Sequence, residues 1–460
     1  MDASVDSVDL LVLGTGEATR SVAYPCREAG WSVSVVDYRP YGGTCQLRGC
    51  DPKKVLVGVA DALALCQRLA GKGIAAPNLR ISWPDLQRFK RTFTDPTPAR
   101  NEADFAAAGI GMYHGTARFT GPTSVRIEGA DHAELSARHV VVATGAEPRR
   151  LGIPGEELLT TSEQFLNLEE LPRHIVFVGG GYIAFEFAHI AARAGATVQI
   201  VQRGVRALEG FDPDLVEQLV ASTREIGVEV RLGTTAEGVE QRDGPGGPLL
   251  VRTRSRTTVG EISADLVVHA AGRAPEIGAL ALEVAGVTFD PRRGVRVNEY
   301  LQSVSNPAVY AAGDAADGSP LRLTPVADQE GGVVAQNLLR GNTQIPDFSG
   351  TPTVVYTIPP LARVGLLERE AREQGLRFHV RQEDTSGWYS SHRVGLTHTG
   401  AKALIEEDTG RILGAHVLGH GADEVINLFG LAMRAGLTAG ALRSTLYAYP
   451  TSGSDVPSLV

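Results

Sequence analysis

The sequence predicts an α/β protein with two nucleotide-binding domains and an α+β C-terminal domain. Near the N-terminus, "VDLLVLGTGEATRSVAYPCREAGWSVSVVD" has the pattern of a strand, a glycine-rich turn, a helix and a second strand ending in Asp37. "RHIVFVGGGYIAFEFAHIAARAGATVQIVQR", residues 173–203, repeats that order. After residue 345, strand patterns such as "RILGAHVLG" alternate with helical ones such as "ADEVINLFGLAMRAG". The two earlier segments are Rossmann-like βαβ units, which form parallel sheets with helices on their faces.

The segments between these units complete the predicted order. "SVRIEGADHAELSARHVVVATG", residues 124–145, indicates a small antiparallel excursion that returns in a strand. "NPAVYAAGDAADGSPLRLTPVADQEGGVVAQNLLRG", residues 306–341, indicates a strand, a loop and an amphipathic helix. Pro, Thr and Ser are enriched around residues 342–360, which is typical of a domain boundary.

Composition excludes several classes of function. The net charge is -9 and no run is rich in lysine or arginine, so we expect no nucleic-acid partner. No apolar run reaches membrane-spanning length, and the acidic N-terminal residues are not typical of a secretory signal. Four cysteines in 460 residues do not suggest an extracellular disulfide framework. We therefore expect a cytoplasmic protein that binds no membrane.

The first glycine-rich turn contains Gly14 and Gly16, but Thr19 stands where the pattern has a third glycine. In such a turn a pyrophosphate lies at the helix N-terminus, where unpaired N–H groups favour negative charge. Asp37 would then bind the hydroxyl pair of a ribose. Pro25 falls inside the helix and is expected to kink it. The alternative is a turn that binds nothing.

The second turn contains Gly179 and Gly181, and its second strand ends in Gln202-Arg203 instead of an acid, with Arg206 nearby. An acid there would hold a free 2′-hydroxyl, whereas arginine offers a bidentate partner for a 2′-phosphate. This favours NADPH over NADH, although NADH stays possible. The alternative is that both arginines are solvated surface residues.

A cysteine pair lies in "GGTCQLRGCDPKK", where Cys45 and Cys50 are five positions apart. On a regular helix their Cα atoms would lie roughly 8 to 9 Å apart, beyond the reach of a disulfide. A bridge would need a distorted turn, which Gly49 permits. The spacing alone leaves open a redox couple, metal ligands or small buried hydrophobes. Two nucleotide sites beside such a pair fit hydride transfer from a nicotinamide to a flavin, followed by electron transfer to a disulfide.

No metal site is predicted, because no second Cys or His pair stands nearby at ligand spacing. Cys26 and Cys66 have no such context and are interpreted as packed hydrophobes.

Taken in order, the motifs resemble those of the class I flavoprotein pyridine nucleotide-disulfide oxidoreductases, the family of glutathione reductase, dihydrolipoamide dehydrogenase and mercuric reductase. The matching segments are "GGTCQLRGCDPKK", "ATG" at 143–145, "GGGYIAFEFA", "AAGRAPE", "VYAAGDAA" and "LTPVA" at 323–327. The resemblance covers nearly the whole chain and implies tightly but not covalently bound FAD, NADPH and a homodimer.

The resemblance also implies roles for individual residues. Cys50 would be the thiolate beside the flavin and Cys45 the thiol that exchanges with substrate. Lys54 would stabilise the reduced flavin, with Glu186 as its ion-pair partner. The cofactor-binding residues would be Gly14, Gly16, Asp37, Gly43, Thr44, Ala143, Thr144, Gly145, Gly179, Gly181, Tyr182, Ile183, Gln202, Arg203, Arg206, Gly272, Arg273, Gly313, Asp314, Thr324 and Ala327.

The family's domain order predicts four segments. Residues 1–150 would form the first part of the FAD-binding domain and residues 151–275 the NAD(P)H-binding domain. Residues 276–345 would form the second, central part of the FAD-binding domain. Residues 346–460 would form the interface domain.

The C-terminal segment "YPTSGS" departs from the family pattern. Tyr449 stands where the family has an acid–base histidine, and Ser454 stands for the glutamate that orients it. Tyrosine, with an unperturbed pKa near 10, is a poor general base at neutral pH. Arg48 and Asp51 also replace neutral residues and place charge beside the thiols.

These departures leave the electron acceptor open. The first choice is a small disulfide. A metal ion such as Hg(II) is the second, because mercuric reductases also carry a tyrosine in this region. Against it, no cysteine follows Cys66, whereas those enzymes end in a vicinal cysteine pair. A flavoprotein diaphorase acting on quinones or oxygen is the third possibility.

Overall fold

Strands and helices alternate along most of the chain in the computed structural model of the protein, which describes residues 6–75, 77–244, 246–318 and 321–460. The first five residues, on which part of the expectation about a signal rests, lie outside this range. The strands are β1 (Asp6–Leu13), β2 (Val33–Asp37), β3 (Gly111–Phe119), β4 (Ser124–Gly129), β5 (His132–Val142), β6 (Ala146–Pro148), β7 (His174–Val178), β8 (Thr197–Val201), β9 (Glu229–Arg231), β10 (Thr235–Gln241), β11 (Leu249–Arg254), β12 (Val259–Ala264), β13 (Leu266–His269), β14 (Arg273–Pro275), β15 (Phe289–Asp290), β16 (Gly294–Arg296), β17 (Val309–Ala311), β18 (Ala316–Asp317), β19 (Thr353–Val355), β20 (Leu361–Gly365), β21 (Phe378–Asp384), β22 (Gly400–Glu406) and β23 (Ile412–Leu418).

The helices are α1 (Glu17–Glu28), α2 (Gly43–Arg48), α3 (Cys50–Arg68), α4 (Trp83–Thr94), α5 (Thr97–Ala107), α6 (Ser162–Leu166), α7 (Tyr182–Arg193), α8 (Pro213–Glu225), α9 (Thr324–Arg340), α10 (Glu368–Glu373), α11 (Tyr389–His392), α12 (Ala422–Arg434), α13 (Ala439–Ser444) and α14 (Val456–Leu459). Short 3-10 helices lie at Glu156–Leu158, Gly313–Ala315 and Ser452–Asp455. None of the helices in the described part of the chain is long and apolar enough to cross a bilayer.

The chain divides into two compact units. The first comprises the described residues up to Lys53, Phe89–Arg149 and the described residues of Arg273–Phe348. The second comprises the described residues of Lys54–Arg88, Arg150–Gly272 and Ser349–Val460. The four-domain division with boundaries near residues 150, 275 and 345 stays a prediction.

A parallel sheet in the order β3-β2-β1-β5-β17 forms the centre of the first unit. The residues of 10–13 and 140–142 are nearly or wholly inaccessible, as expected for strands covered on both faces. The later half of β3 and the first half of β5 pair antiparallel with β4, which is the predicted excursion. Helices α1 and α9 approach closely, since a Cβ on Gly331 would lie 2.4 Å from the Ala18 carbonyl oxygen.

Helix α1 continues through Pro25, which lies in its last turns, and ends at Glu28. The Ala29 N–H bonds to the Pro25 carbonyl oxygen (3.0 Å) beyond the proline, and the expected kink stays a prediction.

The second unit contains the parallel sheet β13-β7-β8-β9, the antiparallel sheet β10-β11-β12 and the five-stranded sheet β19-β20-β23-β22-β21. Every pairing in the five-stranded sheet is antiparallel, and α12 packs its apolar face, including Val425, Ile426 and Phe429, into the same core. The predicted α/β class, with two Rossmann-like sheets and an α+β C-terminal domain, is confirmed.

Candidate active site

The first glycine-rich turn joins β1 to α1 and excludes side chains from its surface. Gly14 has a φ of +106°, and a Cβ there would lie 2.4 Å from the Ala143 carbonyl oxygen. Gly43, with a φ of +65°, approaches Gly16 so closely that a Cβ would lie 2.5 Å from the Gly16 Cα. Backbone alone therefore fills this corner, which leaves the N-terminus of α1 open to a phosphate.

Thr19, the departure from the glycine pattern, is accommodated inside the turn. Its hydroxyl donates a hydrogen bond to the Gly14 carbonyl oxygen at 3.0 Å, and the side chain is fully buried. Threonine thus replaces the third glycine without an unsatisfied polar group.

Asp37 lies at the end of β2, as predicted, and is already oriented by its neighbours. Its Oδ2 accepts from the Thr15 N–H (3.0 Å) and hydroxyl (2.7 Å), and its Oδ1 accepts from the Arg39 N–H (2.9 Å). A carboxylate has about four acceptor positions, so room remains for a ribose hydroxyl. Thr15 was not among the predicted site residues, although its place between two glycines was a usable signal.

Thr144 and Asp314 are polar residues of the first unit for which the family resemblance implies contacts with the flavin nucleotide. Thr144, after β5, has a buried hydroxyl with no hydrogen bond in the described part of the chain. Asp314 follows Gly313, and burial raises the pKa of its carboxyl while Arg322 and Arg273 act in the opposite direction. Buried polar groups are nearly always paired, so the Thr144 hydroxyl indicates a bound group that would hydrogen-bond to it. The residues fit the sugar chain of a flavin nucleotide.

The remaining residues predicted for the first nucleotide lie around the same corner. Gly145, with a φ of +75°, has no atoms within 4 Å of a Cβ position. Ala327 lies in the first turn of α9, and its side chain is 3.3 Å from where a Cβ of Gly313 would be. These small residues leave open space instead of filling it.

The cysteine pair spans a break between two helices. Helix α2 ends at Arg48 and α3 begins at Cys50, with Gly49 between them. A Cβ on Gly49 would lie 3.0 Å from the carbonyl oxygen of Thr44, so this tight turn needs glycine. The distorted turn predicted from the spacing is present, and neither cysteine is in a disulfide.

The two thiols have different surroundings. Cys50 is exposed at the first position of α3, and its Sγ lies 3.7 Å from the hydroxyl of Thr324, where α9 begins. Cys45 donates a hydrogen bond to Asp51 Oδ1 at 3.9 Å. The hydrogen bond with Cys50 and burial raise the pKa of Cys45, and the Asp51 charge adds to this. Negative charge is favoured at helix N-termini, so a thiolate is best stabilised at Cys50.

Lys54, one turn along α3 from Cys50, forms an ion pair with Asp423 at 3.2 Å. Its ammonium also lies 3.7 Å from the centre of the Tyr356 ring. Glu186 is buried on α7 and accepts a hydrogen bond from the Tyr356 N–H at 2.7 Å. The Lys54–Glu186 pair stays a prediction. No local pattern predicted the contacts of Lys54 with Asp423 and Tyr356, which lie far along the chain.

The second glycine-rich turn joins β7 to α7. Gly179 has a φ of +119°, and a Cβ there would lie 2.2 Å from the Ala270 carbonyl oxygen. Around Gly181 no atom lies within 4 Å of a Cβ position, so the helix N-terminus is open. Tyr182 and Ile183 form the first turn of α7, where Tyr182 is about half exposed.

The residues after β8 fit the predicted phosphate site. The Gln202 amide donates to the Arg206 carbonyl oxygen at 3.1 Å, which holds this loop together. The side chains of Arg203 and Arg206 are exposed, and neither has an acidic partner in the described part of the chain. Two guanidinium groups are therefore available to an anion.

Gly272 and Arg273 follow β13. Gly272 has a φ of +107°, and Arg273 begins β14 and donates a hydrogen bond to the Ala146 carbonyl oxygen. The predicted contact of Arg273 with the nicotinamide nucleotide stays a prediction.

Tyr449 is 81% exposed, and its peptide bond to Pro450 is cis. Ser454, in place of the orienting glutamate, bonds instead to Thr451: its N–H donates to the Thr451 hydroxyl, and its own hydroxyl lies 2.6 Å from the Thr451 carbonyl oxygen. Nothing in the described part of the chain orients the Tyr449 hydroxyl. Cys26 is buried, and burial raises its pKa to about 12, as expected for a packed, unreactive thiol.

Comparison with known proteins decides the family. Residues 8–331 match the pyridine nucleotide-disulphide oxidoreductases, and residues 351–459 match the dimerisation domain of the same group. The chain belongs to the pyridine nucleotide-disulphide oxidoreductase family. It is 32% identical over 459 residues to the glutathione reductase of Burkholderia cepacia, covering 98% of each chain. It is also 32% identical to the mercuric reductase of Streptomyces lividans, covering 96% of this chain and 93% of the other.

Among solved structures, the Cu(II) complex of the HOCl-induced flavoprotein disulfide reductase RclA from Escherichia coli is similar, with a TM-score of 0.88. That protein is 26% identical, and the likeness covers 99% of both chains. The predicted family is therefore confirmed, and this pyridine nucleotide-disulphide oxidoreductase is an NAD(P)H-dependent flavoprotein that acts on sulfur groups. Its family implies FAD and a pyridine nucleotide as cofactors.

The dimerisation domain carries exposed apolar side chains. Leu446 is 97% exposed, Leu431 is 64% exposed, and Tyr449, three residues after Leu446, is 81% exposed. Large exposed apolar side chains are typical of surfaces that another protein covers. Together with the family match, this indicates assembly through residues 351–459.

Proposed function

We propose that the protein is an NADPH-preferring reductase that passes two electrons through the Cys45–Cys50 pair to a small disulfide. The observation that carries the proposal is the placement of the two thiols: Cys50 begins α3 with its Sγ against Thr324, the first residue of α9, and Cys45 in α2 contacts Asp51. An exposed thiol at a helix N-terminus, such as Cys50, is in a position typical of reactive cysteines, whereas Cys26 is buried.

The cofactors have matching sites on the chain. Gly14, Gly16, Asp37, Thr144 and Asp314 would hold FAD, which when bound supplies electron transfer between the nicotinamide and the thiols. Support comes from the orphaned Thr144 hydroxyl and from the glycine corner that excludes side chains.

NADPH would bind at the turn of Gly179 and Gly181, with its 2′-phosphate held by Arg203 and Arg206. Both guanidinium groups are exposed and neither has an acidic partner in the described part of the chain, which supports the preference for NADPH. Exposed apolar residues on the C-terminal domain support a homodimer.

The thiol chemistry then follows from the surroundings of each cysteine. Cys45 attacks one sulfur of the acceptor, so that a mixed disulfide forms and the acceptor S–S bond breaks. Cys50 then attacks the Cys45 sulfur, forms the Cys45–Cys50 disulfide and releases the second acceptor thiol. Two electrons leave the cysteine pair in this sequence, and the acceptor gains two electrons and two protons.

The experiment is NADPH oxidation with a panel of small disulfides, on wild type and on Cys45→Ser and Cys50→Ser. We expect both variants to retain FAD and to lose disulfide reduction by at least about 10³-fold, because the covalent route is gone. Cys66→Ser serves as the matched control and should keep full activity. Activity that survives in Cys45→Ser, or no activity with any disulfide in wild type, would contradict the proposal.

Reduction of a metal ion is the second candidate. Tyr449 has no orienting partner in the described part of the chain, and several relatives are mercuric reductases with about 30% identity. A metal ion bound by two thiolates needs no protonated leaving group. Hg(II)-dependent NADPH oxidation that exceeds the rate with every disulfide, and that Cys45→Ser abolishes, would favour this candidate.

A further inference from the structure

We propose that Asp51 exchanges a proton with the Cys45 thiol during disulfide reduction, and so serves in the same chain as the acid–base group of the reaction. This inference rests on the proposed function. It identifies a catalytic residue at a position for which the family resemblance implied no role.

The Asp51 carboxylate lies beside the reacting atom, the Cys45 sulfur. Asp51 Oδ1 accepts a long hydrogen bond from Cys45 Sγ at 3.9 Å. Asp51 follows Cys50 directly in the first turn of α3, so the helix that fixes one thiol also fixes the group that contacts the other. A general base must reach the proton that it removes, and catalytic hydrogen bonds that are long in the free enzyme shorten when substrate binds.

The groups around the thiols favour this assignment. The titratable neighbours of Cys45 are Cys50 and Asp51 from α3, and Thr324 from α9 adds a hydroxyl. Burial raises the pKa of Asp51, although the Cys45 hydrogen bond partly offsets this. A carboxyl moved towards neutral pH is a better proton carrier than an ordinary surface aspartate. Cys45, whose own pKa is raised, also needs such a base more than an acidic thiol would.

Two other groups named by the sequence pattern or by its residue type are poor proton carriers. Tyr449 is 81% exposed, and Ser454 bonds to Thr451 instead of orienting it. His416 is buried within β23, where burial lowers its pKa to about 4 and Nε2 pairs with the Leu366 carbonyl oxygen.

The proton balance is complete. Asp51 carboxylate takes the Cys45 S–H proton as Cys45 Sγ bonds to one acceptor sulfur, and it returns that proton to the sulfur that leaves. The Cys45–acceptor disulfide replaces the acceptor disulfide, so no additional oxidant or reductant takes part in this step.

The test compares Asp51→Asn, Asp51→Glu and wild type in two measurements. The first is turnover with the disulfide that wild type reduces best. The second is the rate at which iodoacetamide alkylates Cys45 in chemically reduced protein, followed by mass spectrometry across the pH range where thiols ionise. Asp61→Asn, the same substitution ten residues along α3, is the matched control.

The two measurements should move in opposite directions in Asp51→Asn. Turnover should fall by roughly 10² to 10⁴-fold because the proton carrier is lost. Alkylation of Cys45 should become faster, because removal of a neighbouring negative charge lowers the thiol pKa. Asp51→Glu should restore much of the turnover, and Asp61→Asn should leave both rates unchanged.

Other outcomes would overturn the assignment. If both rates rise in Asp51→Asn, the carboxylate only repels the thiolate. If turnover is unchanged in Asp51→Asn, Asp51 has no role in proton exchange. If wild type reduces no disulfide, the proposed function fails, while the alkylation measurement still reports whether Asp51 controls Cys45.

Discussion

The two glycine-rich turns share one backbone design but differ in how their strands end. In each, the first glycine has a positive φ and packs on a carbonyl oxygen: Gly14 on Ala143, and Gly179 on Ala270. The first turn leads to Asp37, which Thr15 and Arg39 hold in place. The second leads to a loop closed by Gln202, with arginines exposed on it.

The difference indicates that the same fold can bind two different nucleotides, because a few residues beyond the turn determine which one is recognised. The glycines give backbone N–H groups access to a pyrophosphate, which is common to both cofactors. The residue at the end of the second strand then decides whether a free ribose hydroxyl or a 2′-phosphate is bound. A carboxylate accepts from ribose hydroxyls, while guanidinium groups donate to a 2′-phosphate.

The largest expected effect is from replacing the first glycine of each turn. Gly14→Ala and Gly179→Ala should each destabilise the protein by about 3 kcal/mol or more, because the Cβ would overlap a carbonyl oxygen in a strained conformation. Gly14→Ala should also lose FAD, whereas soluble Gly179→Ala should keep FAD and lose NADPH binding. The measurements are urea unfolding and flavin content.

The chain supplies a control for each glycine. Gly30 and Gly195 also have positive φ, at +91° and +101°, but nothing lies within 4 Å of their Cβ positions. Alanine there should cost only about 1 to 2 kcal/mol of backbone strain. If Gly14→Ala cost no more than Gly30→Ala, the close approach to Ala143 would not be what requires glycine.

A smaller effect, on specificity, is expected from the arginines. Arg203→Ala combined with Arg206→Ala should reduce the preference of kcat/KM for NADPH over NADH by roughly 10 to 100-fold, since charge-assisted bonds to the 2′-phosphate contribute about 1.5 to 3 kcal/mol. Rates with NADH should change little. Arg256→Ala, which removes one exposed charge elsewhere in the second unit, is the control. An unchanged preference in the double variant would make both arginines ordinary surface residues.

The smallest effect is expected at Thr19. Thr19→Val keeps the shape but removes the hydrogen bond to the Gly14 carbonyl oxygen, so the free energy of unfolding should fall by about 1 to 2 kcal/mol. Thr19→Ser should restore most of this. If Thr19→Val and wild type unfolded at the same temperature, the hydroxyl would not be the reason that threonine is tolerated at the third glycine position.

Much of the fold was predictable from the sequence because its signals are local. Strand, glycine turn, helix and strand follow one another within about thirty residues, and the period of the apolar residues distinguishes them. The turn at Gly49 was predictable for the same reason, since helix geometry rules out a five-residue bridge on one helix.

Contacts between distant positions were not predictable. Lys54 and Asp423 are 369 positions apart, and only the packing of the folded chain brings them together. The satisfied hydroxyl of Thr19 depends on the exact path of the turn. The interpretation of Asp51 required the distance to Cys45, because its position after Cys50 does not show which thiol it contacts.

Passage of electrons through the cysteine pair is tested by counting thiols in the air-oxidised holoprotein before and after anaerobic addition of NADPH, with the alkylated cysteines mapped by mass spectrometry. We predict two new thiols, at Cys45 and Cys50, and no change at Cys26 or Cys66. NADPH oxidation without new thiols at Cys45 and Cys50 would contradict it, because the electrons would then bypass the cysteine pair.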